Sequence, residues 1–242
     1  MTTSFQIVSD LHLESYKDKG VEIVNELKVS ADNLIIAGDL GCVDPVYKKI
    51  IPLIMKRWEN VILVLGNHEY YGQNIGAMKD RLGKLESKYE GLHILDNELI
   101  ELDGIKIFGG TMWFPQDPLN ILYENCLADF RCIKKFREWV YNKNSDFKYK
   151  LKGLKPDVVV THHLPSYNCI NGKYIGNDLN RFYVTEMSEW ILKNNPKLWV
   201  CGHTHDSVQT MIGETPVLSN PYGYHNEFNS NYHNGYIVEV DE

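Results

Sequence analysis

The sequence lacks the features that would direct it to a membrane or out of the cell. No hydrophobic run is long enough to cross a bilayer, and the polar N-terminus has no apolar signal-peptide core. The chain has only five cysteines, none of them in a Cys-x-x-Cys pair, and an odd count is not typical of a disulfide framework. We therefore predict a soluble, cytoplasmic protein with reduced thiols and no membrane partner.

Positive charge is also scarce. The chain has 25 basic and 32 acidic residues, so its formal net charge is −7. General nucleic-acid binding needs a basic face, and we therefore do not expect it here. A small anionic substrate remains compatible with this charge, because bound divalent metals reverse the local potential.

Two further classes of enzyme have no support in the sequence. No glycine-rich dinucleotide fingerprint follows an apolar run, which argues against a redox enzyme that uses a nicotinamide cofactor. No nucleophile elbow is present either, so a covalent serine or cysteine intermediate is not indicated.

The length and composition indicate one globular unit. The chain has 242 residues, of which 43% are hydrophobic, enough to bury a sizeable core. No repeat or low-complexity linker divides it, so we predict a single domain over residues 1–242. Residues 113–152 are the least regular part, with a helical stretch expected around Ile133 to Val140. This segment is either a lid or side wall of a site, or a surface insertion.

Apolar spacing predicts a mixture of helices and strands. Apolar residues recur at helical spacing from Ile75 to Tyr89, and a second helix is expected after Gly38-Asp39. Between Leu92 and Phe108 the pattern changes to short strands, with Asp103-Gly104 as a hairpin turn. The last part, from Val208 to Val240, is predicted to form short strands. Together these patterns indicate two stacked sheets flanked by helices.

Polar motifs follow five short apolar runs of the kind that form buried strands. They are Asp10-Leu11-His12, Gly38-Asp39, Gly66-Asn67-His68-Glu69, His162-His163-Leu164-Pro165 and Gly202-His203-Thr204-His205. Residues at the carboxyl ends of several strands converge on one crevice. Carboxylate, amide oxygen and imidazole are metal ligands, and this set is too large for one ion. The sequence therefore indicates two metals that share a bridging carboxylate.

The order of these motifs resembles the calcineurin-like metallophosphoesterase family, from Ser9 to at least Tyr224. The resemblance implies a four-layer α/β/β/α sandwich of two mixed sheets flanked by helices. It also implies two divalent metal ions, for which Mn, Fe, Zn and Ni all suit the side chains. The implied ligands of one metal are Asp10, His12, Asp39 and His205, and those of the other are Asp39, Asn67, His163 and His203.

The adjacent histidines His162 and His163 need separate assignments. On a strand, neighbouring side chains point to opposite sides, so only one of the two should face the metals. The His-x-Pro pattern of the family selects His163, which leaves His162 with a structural or supporting role.

By the same resemblance, His68 is the catalytic histidine, and Asn67, His68 and Tyr222 contact the substrate. The chain departs from the family at two of these points. Cys42 stands where a supporting aspartate is common, so Asp44 or a backbone carbonyl is expected to orient His68. Tyr222 stands where some relatives have arginine.

The implied reaction is phosphoester hydrolysis by a metal-bridging hydroxide. Arginine binds the oxygens of a dianionic phosphate well, and none of the five arginines lies in a metal motif. Aromatic residues near the motifs can stack on a nucleobase. We therefore slightly favour small phosphodiesters, nucleotide-derived ones among them. The alternatives are a phosphomonoesterase, a nuclease and a non-catalytic binding module of the same fold.

Overall fold

The computed structural model describes residues 2–227 and 229–241. Two β-sheets lie face to face. The first contains β1 (Thr2–Val8), β2 (Asn33–Ala37), β3 (Asn60–Val64), β4 (Leu92–Leu95) and β11 (Ile237–Asp241), in the order β11-β1-β2-β3-β4. Strands β1 to β4 are parallel, and β11 pairs antiparallel with β1.

The second sheet has six strands and is also mixed. It contains β5 (Glu98–Leu102), β6 (Ile105–Gly110), β7 (Val158–Thr161), β8 (Leu198–Val200), β9 (Gln209–Ile212) and β10 (Thr215–Leu218), in the order β5-β6-β7-β8-β10-β9. Strands β6, β7, β8 and β10 are parallel, and β5 and β9 form antiparallel edges. Asp103-Gly104 forms the predicted hairpin turn, with φ of 49° and 77°.

Helices cover the outer faces of both sheets. They are α1 (Val21–Glu26), α2 (Lys48–Ile54), α3 (Ile75–Glu86), α4 (Asn120–Tyr123), α5 (Asp129–Cys132), α6 (Phe136–Lys152) and α7 (Ser188–Asn194). No helix among the described residues combines the length and apolarity that a membrane span requires.

Three apolar layers hold this architecture together. Alternate residues of the central strands face opposite ways, so Ile35 packs between the sheets while Leu34 and Ile36 pack under α2 and α3. Phe147 of α6 packs beneath the second sheet, in the third layer. The predicted four-layer α/β/β/α sandwich is therefore confirmed.

The helix in the 113–152 segment differs from its predicted position. It was expected around Ile133 to Val140, but α6 begins at Phe136 and continues to Lys152. Its buried residues are Phe136, Val140, Asn144, Phe147 and Leu151. Polar residues surround this narrow apolar stripe, which hides the helical period in the second half of the helix.

Candidate metal centre

The carboxyl ends of β1, β2, β3, β7 and β8 meet at one edge of the sandwich. Backbone hydrogen bonds join the loops there: Asp10 N–H donates to the Gly38 carbonyl at 3.1 Å, and Gly202 N–H donates to the His162 carbonyl at 2.9 Å. His203 N–H donates to both oxygens of Asp10, at 3.0 and 3.1 Å. The first two bonds join loops within one sheet each, and the bonds from His203 to Asp10 link the two sheets where the predicted ligands lie.

Several of these loops have an unusual backbone. Five candidate ligands have positive φ, between 44° and 75°, where residues other than glycine are uncommon. They are Asp10, His12, Asp39, His203 and His205. Such conformations persist where the surrounding fold enforces them, and they cluster at functional sites. Here they turn each side chain from its strand end toward the crevice.

Two groups of closely spaced ligand atoms share no member: Asp10, His12 and His205 form one, and Asp39, His162 and His203 form the other, with ligand atoms within 4.8 Å of one another. A third such group, His12, Asp39 and His68, overlaps both. Asp39 Oδ2 lies 3.6 Å from His12 Nε2 and 3.4 Å from His162 Nε2. The Asp39 carboxylate therefore stands between the two groups, as a bridging ligand would.

The chemistry of these groups fits two metal ions. His203 Nε2 is buried and has no hydrogen-bond partner among the described residues, so a cation there would satisfy it. His162 Nδ1 lies 3.0 Å from the Ala37 carbonyl, and His205 Nδ1 lies 2.6 Å from Glu227. Histidines that bind metals usually donate their second ring N–H in this way.

The structure places the two adjacent histidines in different surroundings, although Nε2 of His163, like that of His203, is buried without a hydrogen-bond partner among the described residues. His162 Nε2 faces both the Asp39 carboxylate and the side-chain oxygen Oδ1 of Asn67, which is 3.0 Å away. His163 does not join either group of ligand atoms in the described part of the chain. Its ring lies against Trp113, and its Nδ1 is 3.2 Å from the Thr111 carbonyl.

The surroundings shift the pKa values of the two imidazoles in opposite directions. Burial lowers the pKa of His162, but the neighbouring Asp39 outweighs this and raises it to about 10. Burial and the charge of His162 hold the pKa of His163 well below its usual value. Strand alternation was a poor guide because β7 ends at Thr161, before either histidine.

His68 has a carboxylate partner that the sequence did not reveal. Its Nδ1 lies 2.6 Å from Glu14 Oε1, and its Nε2 lies 2.9 Å from the Tyr224 hydroxyl. Asp44 instead pairs with Arg81, at 3.3 Å. Glu14 therefore takes the place of the partner expected at Asp44 or a carbonyl.

The fold makes room for Glu14 beside His68. A Cβ at Gly41 would lie 2.6 Å from Glu14 Oε2, and Gly41 has a φ of 142°. Burial alone would raise the pKa of the Glu14 carboxyl, but the neighbouring imidazoles of His12 and His68 lower it to about 2. Burial would lower the pKa of His68, but Asp39 and Glu14 raise it to about 9.

Glu69 anchors the loops beneath the centre. Its carboxylate accepts hydrogen bonds from Gly66 N–H at 2.7 Å, Gly41 N–H at 3.1 Å and Asp39 N–H at 3.2 Å. The Tyr47 hydroxyl donates to it as well, at 3.1 Å. Glu69 therefore fixes the backbone of the Gly38-Asp39 and Gly66-Asn67 loops.

Tyr222 and Tyr224 have different neighbours, and only Tyr224 is among the described residues that line the cavity beside the candidate ligands. Its ring packs edge-on against Tyr232, 5.0 Å away, whereas Tyr224 stacks on His12 at 4.1 Å. Gly223, with a φ of 88°, turns the chain between the two tyrosines. Tyr224, not Tyr222, therefore reaches the site.

A cavity of about 800 Å³ opens onto the candidate ligands. Its walls come from residues 126–129, residues 170–183, residues 223–227 and residues 229–231, all of them outside the two sheets. Among the described lining residues, Lys173 is the only lysine and there is no arginine. Lys173 pairs with Asp206 at 2.8 Å, so little positive charge is available to a substrate.

The part of the sequence that carries the five motifs matches one known protein family. The family model described as calcineurin-like phosphoesterase matches residues 4–207. The chain belongs to this family. The resemblance seen in the five motifs is thereby confirmed, and the chain has a metal-dependent phosphoesterase fold with candidate Asp and His metal sites.

Individual relatives are distant from this phosphoesterase. An uncharacterized protein of Acanthamoeba polyphaga mimivirus is 26% identical over 97% of this chain and 96% of its own length. Among solved structures, the phosphopantetheinyl hydrolase of Mycobacterium tuberculosis has a TM-score of 0.76 at 18% identity, covering 98% of this chain and 95% of its own. A protein of Thermus thermophilus has a TM-score of 0.58 at 14% identity, covering 91% and 90%. These structural likenesses establish the fold.

Proposed function

We propose that the protein hydrolyses small phosphodiesters with the help of two divalent metal ions. The observation that carries this proposal is the pair of ligand groups on either side of Asp39. The proposed ligands of one ion are Asp10, His12, Asp39 and His205, and those of the other are Asp39, Asn67, His162 and His203. When bound, two such ions polarise the phosphate and lower the pKa of a coordinated water.

The protein side chains supply the remaining steps. His68 presents Nε2 to the cavity side, where a phosphate or leaving oxygen can replace the Tyr224 hydroxyl as its partner. Glu14 Oε1 accepts from Nδ1–H of the His68 ring at 2.6 Å, which keeps the ring oriented. The raised pKa of His68, about 9, favours the imidazolium, whose Nε2–H is the proton that faces the cavity. Asn67 contributes a neutral oxygen, which limits the negative charge that faces an anionic substrate.

The charge of the cavity favours a diester over a monoester. A monoester is largely dianionic at neutral pH, whereas a diester carries one negative charge. The lining residues offer one lysine, already paired with Asp206, and several uncharged amide and phenol groups. One relative by fold is named a phosphopantetheinyl hydrolase, and phosphopantetheinyl compounds are therefore candidate substrates alongside nucleotide-derived diesters.

The test compares kcat/KM for bis(p-nitrophenyl) phosphate and p-nitrophenyl phosphate on one metal-loaded preparation. We expect the diester to be the better substrate. A clear advantage for the monoester would reject the diester preference and leave the metal centre standing.

Asp39→Ala is the matched variant for the metal centre itself. It removes the shared carboxylate, so both metal content and turnover should fall. Unchanged metal content with persistent turnover would reject the bridging role of Asp39.

A further inference from the structure

We propose that Asp129 positions the side chain of Asn67 for metal binding, an inference that rests on the proposed function. Asn67 Nδ2 donates to Asp129 Oδ1 at 2.9 Å. At the other end of the same amide, Asn67 Oδ1 lies 3.0 Å from His162 Nε2, inside the candidate metal centre. One contact therefore fixes the direction of the other.

The amide needs such a fixed direction. Its two ends have nearly the same size, but only the carbonyl oxygen can bind a cation, while the NH₂ group is a donor. A carboxylate only accepts hydrogen bonds, so Asp129 binds the NH₂ end and is repelled by the oxygen end. This preference turns Asn67 Oδ1 toward Asp39 and His162.

Tyr71 completes the arrangement. Its hydroxyl donates to the same Asp129 oxygen at 2.6 Å and lies 3.1 Å from Asn67 Nδ2. Its ring also stacks on His68, with the ring centres 4.4 Å apart. Tyr71 thus joins the amide support to the proposed catalytic histidine.

Asp129 is itself held in place. It is only 3% exposed, and it begins α5 in the segment whose role the sequence left open. Gly72 N–H donates to the Cys132 carbonyl at 2.9 Å, which docks α5 on the loop after Asn67. Phe130 packs edge-on against Phe136 at 4.9 Å. These contacts support a fixed side wall in preference to a lid.

Asp129 acts through Asn67 and not as a ligand. Within residues 2–227 and 229–241, it belongs to none of the groups whose ligand atoms lie close enough to share an ion. Its Oδ1 already accepts from two donors, Asn67 and Tyr71. The proposed reaction needs nothing more from this carboxylate.

The experiment titrates Mn²⁺ into chelator-stripped protein by calorimetry. Asp129→Ala removes the acceptor, so one of the two metal sites should weaken by about 10–100-fold, as for other residues that support a ligand. Asp129→Asn keeps an acceptor oxygen at the same position and should stay within about threefold of the unchanged protein. The control is Asp117→Ala, which removes an exposed carboxylate of the same segment that pairs with Arg181.

Two further measurements distinguish this positioning role of Asp129 from a general structural role. The melting temperature of the stripped Asp129→Ala protein should fall only slightly, since the variant loses the buried acceptor of Asn67 and Tyr71 but no apolar contact. Tyr71→Phe keeps the ring but removes one donor to Asp129, so the same metal site should weaken to a smaller extent. This variant carries the test if Asp129→Ala does not fold.

Three outcomes would overturn the proposal. The first is two unchanged sites in Asp129→Ala, or in Tyr71→Phe if only that variant folds. The second is an equal loss of metal affinity in Asp129→Ala and Asp129→Asn, which would mean that the negative charge of Asp129, and not its acceptor oxygen, supports the metal site. The third is equal loss in Asp117→Ala. Failure of the unchanged protein to bind a pair of ions would instead reject the proposed function.

Discussion

His162 and His163 occupy different surroundings although both are fully buried. His162 lies between Asp39 and Asn67, whereas His163 lies against Trp113 and the Thr111 carbonyl. We therefore expect His162→Ala to lower the metal content of the folded protein and His163→Ala to lower mainly its stability. Elemental analysis and thermal melting of both variants would measure this. Greater metal loss from His163→Ala would restore the choice made from the His-x-Pro pattern.

Glu14 and His68 form a hydrogen-bonded pair that we propose acts in proton transfer. His68→Ala should keep its metals and lose turnover by about 10²–10⁴-fold, because proton donation is lost. Glu14→Gln keeps the size of the side chain but removes the charge that holds Nδ1, and the loss should be about 10–100-fold. Turnover and metal content of each variant are the measurements. Normal turnover in a fully loaded His68→Ala protein would remove this histidine from the mechanism.

The residues that sequence reasoning found share a visible signal. Asp10, Asp39 and His203 each follow an apolar run beside glycine or histidine, so both the strand and the side chain are legible. Glu14 and Asp129 carry no such signal. They reach His68 and Asn67 across 54 and 62 residues of chain, and only the folded backbone brings them together.

At the scale of elements, α3 and α6 are fastened to the first sheet by a small ionic cluster. Asp96, just after β4, pairs with Lys79 of α3 at 2.7 Å and with Lys143 of α6 at 2.9 Å. Burial would raise the pKa of Asp96, but Lys143 and Lys79 lower it below its ordinary value. The stabilisation is therefore present above the unfolded pKa and is lost as the pH falls through the folded pKa.

This cluster yields a pH-dependent prediction. Asp96→Asn should lower the free energy of unfolding by about 1 kcal/mol at pH 7, and the difference should shrink in acid, below the ordinary pKa of an aspartate. Denaturant unfolding at pH 7 and in acid would measure it. Glu138→Gln is the control, because its exposed pair with Lys135 should contribute almost nothing. A difference that persists unchanged in acid would show that charge is not the cause.

The sequence predicted the type of each element better than it predicted where the helices end. The helix after Asn67 was expected from Ile75 to Tyr89 and occupies Ile75–Glu86. Its beginning is fixed because the Asn74 side chain accepts from Ala77 N–H, a common helix cap. The end of α6 was missed because its last turns bury only Phe147 and Leu151 among lysines, although Gly153 marks the C-terminus of the helix.

For the whole molecule, the candidate metal ligands come from loops of both sheets. Removal of the proposed metals should therefore lower the stability of the folded protein. Ions that bind only the folded chain stabilise it by about 2.7 kcal/mol at 100 times their Kd. We expect chelator-stripped protein to melt at a lower temperature than Mn²⁺-loaded protein. Asp39→Ala should lose most of that metal-dependent gain. Equal melting temperatures for the stripped and loaded protein would contradict a centre that spans both sheets.

The pairing of β11 with β1 has a consequence for folding during synthesis. Strand β1 carries the first candidate ligands, yet its neighbours are β2 and the far C-terminal β11, with Thr2 opposite Asp241. A ribosome adds about 5–20 residues per second, so His205 is made about 10–40 s after Asp10. During that interval Asp10, His12 and Asp39 exist without the histidines that complete their groups. The candidate ligand groups can therefore be completed only late in synthesis, and we expect the proposed metals to bind after the chain has emerged as far as His205.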